Sequence, residues 1–287
     1  MYNYLIVDSD DKLTTLLELW QQEGVQTIAL DFEGEFNLHI YGEHLCLIQI
    51  YDGNKFYIVD PFKVSKKSLL SLFENENLEK VMFDAKSDAT LIFKRYQIRL
   101  KNVYDLRIST KLLKIEGSLN KVVSSVLNTD IVEGKKSNQK ADWTKRPLAD
   151  NLIEYALSDV EYLLQLKEVL DEKIEQADLK TLHLRMQKDA NEAKIRIKFG
   201  YENLSGYKFM TKTEKVYLKY FFNAREEVAK KYNLPPFKVL DKRILIKLAK
   251  EQSLKNQNIN HKNRKIDQDL SSNLTKALEL AENELNS

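Results

Sequence analysis

Apolar residues are spaced in two ways along this chain, and the change of spacing divides it. In the first half, "TIALDF", "LCLIQIY" and "KFYIVDPF" are short apolar or β-branched runs set apart by Gly34, Gly42 and Gly53, which predicts three consecutive antiparallel strands. "KKSLLSLFENENL" then carries leucines at helical spacing, and "KVMF" is a short buried strand. "SDATLIFKRY" groups Leu91, Ile92 and Tyr96 on one helical face, and "NVYDL" allows one more strand. Strands first and β-α-β afterwards predict an α/β unit, a mixed sheet flanked by helices.

From Leu106 onward no strand is expected. "LNKVVSSVLN" and the long "LADNLIEYALSDVEYLLQLKEVLDEKIEQ" have helical periodicity, the second entered through Pro147, a residue tolerated at a helix start. Gly200, Ser205 and Gly206 mark a loop after a charged helical stretch ending near Lys198. "TEKVYLKYFFNAREEVAKKYN", the Pro235-Pro236 pair, "DKRILIKLAKEQ" and "SSNLTKALELAENEL" then predict a small all-helical unit. "QSLKNQNINHKNRKIDQD" is polar enough to be a loop. The boundary falls between about 175 and 205, giving domains 1–190 and 191–287, and no internal repeat is visible.

Charge follows the same division. Residues 1–170 hold 21 Lys and Arg against 26 Asp and Glu, and residues 171–287 hold 24 against 17. The excess is densest from Arg185 to Lys265, with 21 bases and 8 acids, as expected if the second half grips a polyanion; a solvated helical surface would have the same composition. Cys46 alone excludes an internal disulfide and sits in the apolar "LCLIQI" as core filler. The N-terminal "MYNYLIVDSDDKL" has no basic flank, and no later run approaches the roughly 18 apolar residues of a membrane span. A cytoplasmic monomer with no membrane contact is expected.

The candidate chemistry lies in the acids. Asp31, Glu33 and Glu35 close the apolar run Thr27–Leu30, and strand alternation puts all three on one face with Phe32 on the other. Alone, this is either a strand running out into a polar turn or part of a divalent-cation site. Asp88, near the start of a predicted helix, is by itself a first-turn acid that favours the helix dipole. Tyr155 and Asp159, spaced i, i+4, project from one face of the long helix. Asp159 lies among Leu152, Ile153, Ala156, Leu157, Val160, Leu163 and Leu164, where a carboxylate needs a compensating partner. Taken together, Asp31, Glu33, Asp88 and Asp159 supply hard oxygen ligands suited to two Mg²⁺ or Mn²⁺ ions. His39, His44, His183 and His261 are too scattered for a zinc site. Two ions clamping attacking and leaving oxygens is the logic of phosphodiester hydrolysis, with Tyr155 placed to orient water.

These residues, in this order, resemble the DEDD superfamily of 3'-to-5' exonucleases on a ribonuclease H-like fold. "YALSD", with Tyr155 four residues before Asp159, resembles the DEDDy subgroup. "LCLIQI", "YIVDPF" and "KKSNQKADWTKRPLADNLIEYALSDVEYLLQL" are similar to the ribonuclease D family over about residues 20–175. The resemblance implies a metal-dependent exoribonuclease acting on RNA with a free 3' end, tRNA precursors above all. It also implies that Lys136, Gln139, Trp143 and Arg146 line the substrate channel, although Arg146 is equally suited to pinning the loop to the body and Trp143 is better suited to that structural role. "VMFDAKSD" departs from the family pattern in having Phe83 where His is common, with Asp84 as a possible fifth acid.

"LKYFFNAREEVAKKYNLPPFKVLDKRILIKLAK" resembles the HRDC module, a helical nucleic-acid-binding domain, present here once rather than twice. On that resemblance Lys219, Arg225, Lys230 and Lys231 are candidates for phosphate contact, with Lys215, Lys238, Lys242 and Arg243 beside them. Tyr217, Tyr220, Phe221 and Phe222 are either base-stacking or core aromatics. A DNA 3'-exonuclease, with single-stranded DNA as substrate, and a catalytically silent nucleic-acid-binding module are the alternatives, and nothing in the sequence reads a 2'-OH decisively.

Overall fold

Tyr4–Val7 forms strand β1 in a computed structural model that describes residues 2–129, 138–255, 259 and 261–287. Ser9 then accepts the Lys12 amide N–H and opens helix α1 (Asp10–Glu23), which ends where Gly24, at φ 73°, turns left-handed. Strands β2 (Thr27–Phe36), β3 (Glu43–Tyr51) and β4 (Phe56–Val59) follow. After them come α2 (Lys66–Phe73), β5 (Glu79–Met82), α3 (Lys86–Tyr96) and β6 (Val103–Asp105). The six strands form one sheet in the order β1-β4-β3-β2-β5-β6. β3 pairs antiparallel with β4, while β1 with β4, β2 with β5 and β5 with β6 are parallel.

The sheet is therefore mixed, as the strand pattern predicts, but β1 and α1 stand outside the expected elements. β1 is an edge strand of four residues whose partner, Phe56–Val59, is distant in sequence, and its Leu5 and Ile6 stay exposed. It carries no buried alternation by which to be recognised.

Helices cover both faces. One core packs Leu13, Leu16 and Trp20 of α1, Leu69, Leu72 and Phe73 of α2 and Leu91 and Ile92 of α3 around Ile28, Leu30 and Phe32 of the central β2. A second core surrounds Ala29 and Val81 with residues of α4 (Leu106–Leu112), α5 (Leu119–Leu127), α6 (Asp150–Glu161) and α7 (Leu163–Gln176). Cys46 is buried among Leu47, Ile58, Trp143, Ala156 and Leu157. The segment expected as one long helix is two. Tyr162, at φ −103° and ψ 0°, bonds its N–H to the Val160 carbonyl, which closes α6 directly after the turn bearing Asp159. Nor does Pro147 open it: the helix begins at Asp150, behind Ala149.

α8 (Lys180–Glu192) completes this unit, which comprises residues 1–34 and 44–195. Residues 35–43 and 196–287 make a second unit, so the link between β2 and β3 belongs with the helical half, an assignment the linear reading did not make. The second unit is built on α9 (Lys212–Lys231), opened by a capping box in which Thr211 Oγ1 accepts the Glu214 N–H and Glu214 Oε2 accepts the Thr211 N–H. A short helical turn, α10 (Pro236–Val239), precedes α11 (Lys242–Glu251) and α12 (Arg264–Asn286). Tyr217, Leu218, Phe221, Val228, Leu245, Leu248, Leu270 and Leu274 form its core. α12 starts at Arg264, inside the stretch expected to be a loop, because Asn263 caps it through the Lys265 and Ile266 N–H groups. Among the described residues no helix is long and apolar enough to cross a membrane.

Candidate active site

β2 lies inside the sheet, between β3 and β5, and carries Asp31 and Glu33 beyond its apolar first half. Its apolar residues fix the backbone, so Asp31 and Glu33 emerge from a rigid mount with their positions set by alternation. Phe32 turns the other way and meets Phe73 edge-on at 5.6 Å. Asp159, in the last turn of α6, comes to the same place. One carboxylate oxygen from each of Asp31, Glu33 and Asp159 lies within 4.8 Å of the others.

Asp88 is not in that trio, but it is near enough to raise both Asp31 and Glu33 through space. It stands in the first turn of α3, whose start has no side-chain cap of its own. Asp105 supplies one from the end of β6. Its carboxylate accepts the N–H groups of Asp84 at 2.8 Å, Ala85 at 3.2 Å and Arg107 at 2.9 Å. Asp84 is held at φ 62° by this arrangement, exposed, with Arg107 3.8 Å away. The Phe83 ring packs under the Arg107 guanidinium at 4.2 Å, an environment that suits a ring without a polar edge.

The electrostatics are those of anions crowded without a counter-charge. Burial first, then Asp88, Asp159 and Glu33, push Asp31 well above the usual carboxylate range. Burial, Asp159 and Asp88 push Glu33 up to about 9, burial with Asp84 and Asp105 pushes Asp88 up to about 7, and burial pushes Asp159 up to about 6. The neighbouring Tyr155 hydroxyl offsets part of that rise. Burial and the nearby Asp159 and Glu33 raise the Tyr155 phenol, so it stays protonated and a donor, and the Gln139 side chain beside it offsets part of the rise. Four carboxylates that hold protons too tightly are a donor set that fits a divalent cation, because the ion replaces the protons and cancels the repulsion.

Two residues of this arrangement were not picked out from the sequence. Gln49, fully buried on β3, donates to Asp31 Oδ2 at 3.2 Å and fixes the carboxylate's rotation. The signal for it was a lone amide in the apolar run "LCLIQI". Asp105 is the other, signalled only by its place at the end of a strand.

Several expected contacts are corrected. Trp143 is 1% exposed and backs the Tyr155 ring at 6.2 Å, so it supports the site rather than lining a channel. Arg146 spends all five N–H donors inside the protein. Nε and Nη2 grip Asp60 at 2.9 and 3.0 Å, Nη2 also reaches the Cys46 carbonyl at 2.6 Å, and Nη1 reaches the Trp143 and Lys145 carbonyls at 2.9 and 2.8 Å. It pins the loop. Arg225 is 5% exposed, bonded to Glu226 and the Leu240 carbonyl and stacked on Phe222, and cannot reach a phosphate. Lys219 and Lys231 are at the surface but paired, with Glu284 and Asp269, whereas Lys230 is exposed. Tyr217 and Phe221 are core residues, and Tyr220 and Phe222 are partly buried against them. Glu35 is buried and accepts the Leu38 and His39 N–H groups, which makes it a cap of the turn that follows β2. Lys136 lies outside the described residues.

A mixed sheet with helices on both faces, carrying convergent acids on its central strand, defines a nuclease-type α/β unit. Residues 4–175 match the 3'-5' exonuclease family, and the chain belongs to that family. Among curated relatives, the exosome complex component 10 homolog of Caenorhabditis elegans is 27% identical over 254 residues, 85% of this chain and 28% of that protein. The ribonuclease D of a Shewanella species is 27% identical over 259 residues, 86% of this chain and 63% of that protein. The chain therefore spans less than two thirds of the length of either relative. Escherichia coli RNase D, described as an exoribonuclease involved in structured RNA processing, shares the fold with a TM-score of 0.77 at 20% identity, over 98% of this chain and 75% of that one. The acidic group is of the kind that could hold the divalent metals used by DEDD exonucleases.

Proposed function

We propose that this chain is a metal-dependent 3'-to-5' exoribonuclease that removes nucleotides one at a time from RNA 3' ends, with tRNA precursors as its substrate class. The observation that carries the reading is the meeting of Asp31, Glu33 and Asp159 within 4.8 Å, with the Tyr155 phenol close enough to act on Asp159. Asp31, Glu33, Asp88 and Asp159 would hold two Mg²⁺ or Mn²⁺ ions, which when bound stabilise charge on the attacking and leaving oxygens of an in-line displacement. The protein's own part is orientation. Gln49 sets Asp31, Asp105 sets the turn that presents Asp88, and the Tyr155 hydroxyl, beside Gln139 and backed by Trp143, directs a water toward the terminal phosphodiester. The product is a nucleoside 5'-monophosphate and an RNA shortened by one residue. The helical second unit, HRDC-like by its sequence, would hold the RNA through phosphate contacts.

The test is direct. End-labelled 3'-extended tRNA and single-stranded DNA are incubated with the protein in Mg²⁺, Mn²⁺ or EDTA. Metal-dependent loss of single nucleotides from RNA, abolished by Asp31→Ala and by Asp159→Ala, is expected. Equal rates for either variant and the wild-type chain would refute the site, and faster loss from DNA would refute the substrate.

A further inference from the structure

The basic half was expected to meet nucleic acid along α9, where Arg225 is buried and Lys219 and Lys231 are paired with acids. Cations without ion pairs lie just before it and in its first turn. Arg196, Lys198, Lys208 and Lys212 are exposed, and neither they nor Lys215 form an ion pair among the described residues. The two acids of the same segment are spent on backbone groups: Glu202 accepts the Phe199 N–H at 3.1 Å and Glu214 the Thr211 N–H at 2.7 Å. The segment thus presents a net positive charge, five cations against two carboxylates, with none of the five held in an ion pair among the described residues.

Aromatic rings stand among these cations. Two short 3-10 turns, Gly200–Asn203 and Tyr207–Phe209, lead into α9. Gly200 lies so close to the Phe222 ring that a Cβ there would come within 2.4 Å of it and force the ring aside. Tyr201 is thereby fixed, edge-on to Phe222 at 6.0 Å and tilted against Tyr207 at 6.0 Å. Phe199 lies parallel to Tyr201, with 5.5 Å between centroids and 1° between planes, yet remains 67% exposed. Phe209 is 81% exposed with Lys208 Nζ 4.8 Å from its ring, and Lys215 Nζ is 5.0 Å from the Tyr207 ring.

Single exposed apolar residues are ordinary, but two large open rings within eleven residues, one already stacked on an anchored tyrosine and both among cations without ion pairs, form a platform. A flat π face suits a nucleobase, and the cations suit the phosphates on either side of it. From this we infer that residues 196–215 are a base-stacking surface for single-stranded RNA, with Phe199 and Phe209 as the stacking rings and Arg196, Lys198, Lys208 and Lys212 as phosphate contacts. The inference rests on the RNA reading above and names its second contact surface. Stacking accepts any base, so the surface grips without choosing sequence.

The test uses the full chain in EDTA and a 5'-labelled 12-nucleotide unstructured RNA, read by fluorescence anisotropy across a salt series. Phe199→Leu and Phe209→Leu are each expected to weaken binding about fivefold or more with the salt slope unchanged, whereas Phe199→Trp binds as the wild type does. Lys208→Gln and Lys212→Gln are expected each to lower the slope by about 0.7. Hydrolysis of the p-nitrophenyl ester of thymidine 5'-monophosphate in Mg²⁺ stays at the wild-type rate in every variant. Leucine variants that bind RNA like the wild type overturn the inference, as does a wild-type chain that binds no RNA. Loss of binding to phosphatidylserine vesicles with RNA binding intact overturns it in favour of a lipid surface. If the wild-type chain fails to hydrolyse RNA, the catalytic reading falls, while the anisotropy result still decides the surface.

Discussion

Replacing Arg146 by methionine separates a residue that builds the loop from one that touches RNA. The side chain of Arg146 is 28% exposed and that of Asp60 9%, and the pair is bidentate. Methionine keeps an unbranched stem but removes the guanidinium from the face of Phe62, both bonds to Asp60 and the three to the carbonyls of Cys46, Trp143 and Lys145. Asp60 then keeps the Phe62 N–H at 3.1 Å and loses its counter-charge. Removing one partner of a buried pair costs about 3–5 kcal/mol, and the partial exposure of the guanidinium lowers this to roughly 2–4 kcal/mol. For a unit of this size that is a fall in Tm of roughly 4–16 °C. Adding Asp60→Asn should recover part of the loss, since most of it comes from the stranded carboxylate. Differential scanning calorimetry measures both variants, and RNA anisotropy below the transition should give a wild-type salt slope. An unchanged Tm together with a slope lowered by about one would refute this account and return Arg146 to the substrate channel.

Other outcomes follow from the same geometry. Without metal, the raised pKa values of Asp159, Asp88 and Glu33 mean that the folded chain binds more protons than the unfolded one between about pH 4 and the folded values of about 6, 7 and 9, so stability should fall as pH rises through that window. Thermal melts in EDTA from pH 5 to 9 would register this, and Mg²⁺ should flatten the trend; a flat curve in EDTA would contradict the crowded-anion picture. Tyr155→Phe should lower kcat about 100-fold while calorimetric Mn²⁺ binding is retained, because the phenol directs water and holds no ion. Asp105→Ala, which frees three backbone N–H groups, should cost about 2–3 kcal/mol in urea unfolding and lower the rate of RNA hydrolysis further than the stability loss explains.

What was legible in the sequence depended on how locally each feature is written. Asp31 and Glu33 share a face because strands alternate, and Tyr155 and Asp159 do so because helices repeat every turn, so the elements carrying them could be read from a few neighbouring residues. The mixed sheet followed in the same way. Arg146 could not be placed, since its role depends on Asp60, eighty-six residues earlier, and an arginine before a proline looks the same whether it faces solvent or the body. Arg225 was misplaced because positive charge gives no information on depth, and its burial is decided by Glu226, Phe222 and the Leu240 carbonyl together. The break at Tyr162 contains neither glycine nor proline. β1 was missed because an edge strand of four residues has no inner face to pattern.

The central place of β2 also decides how the enzyme would fail. With β3 on one side and β5 paired to Thr27–Ala29 on the other, the root of the strand bearing Asp31 and Glu33 is held along both edges. Its amide hydrogens from Ile28 to Leu30 should exchange only when the whole unit opens. Heating would then take the site apart in order: Asp88 and Asp159, on helices α3 and α6, can leave first, while Asp31 and Glu33 stay in register until the unit melts.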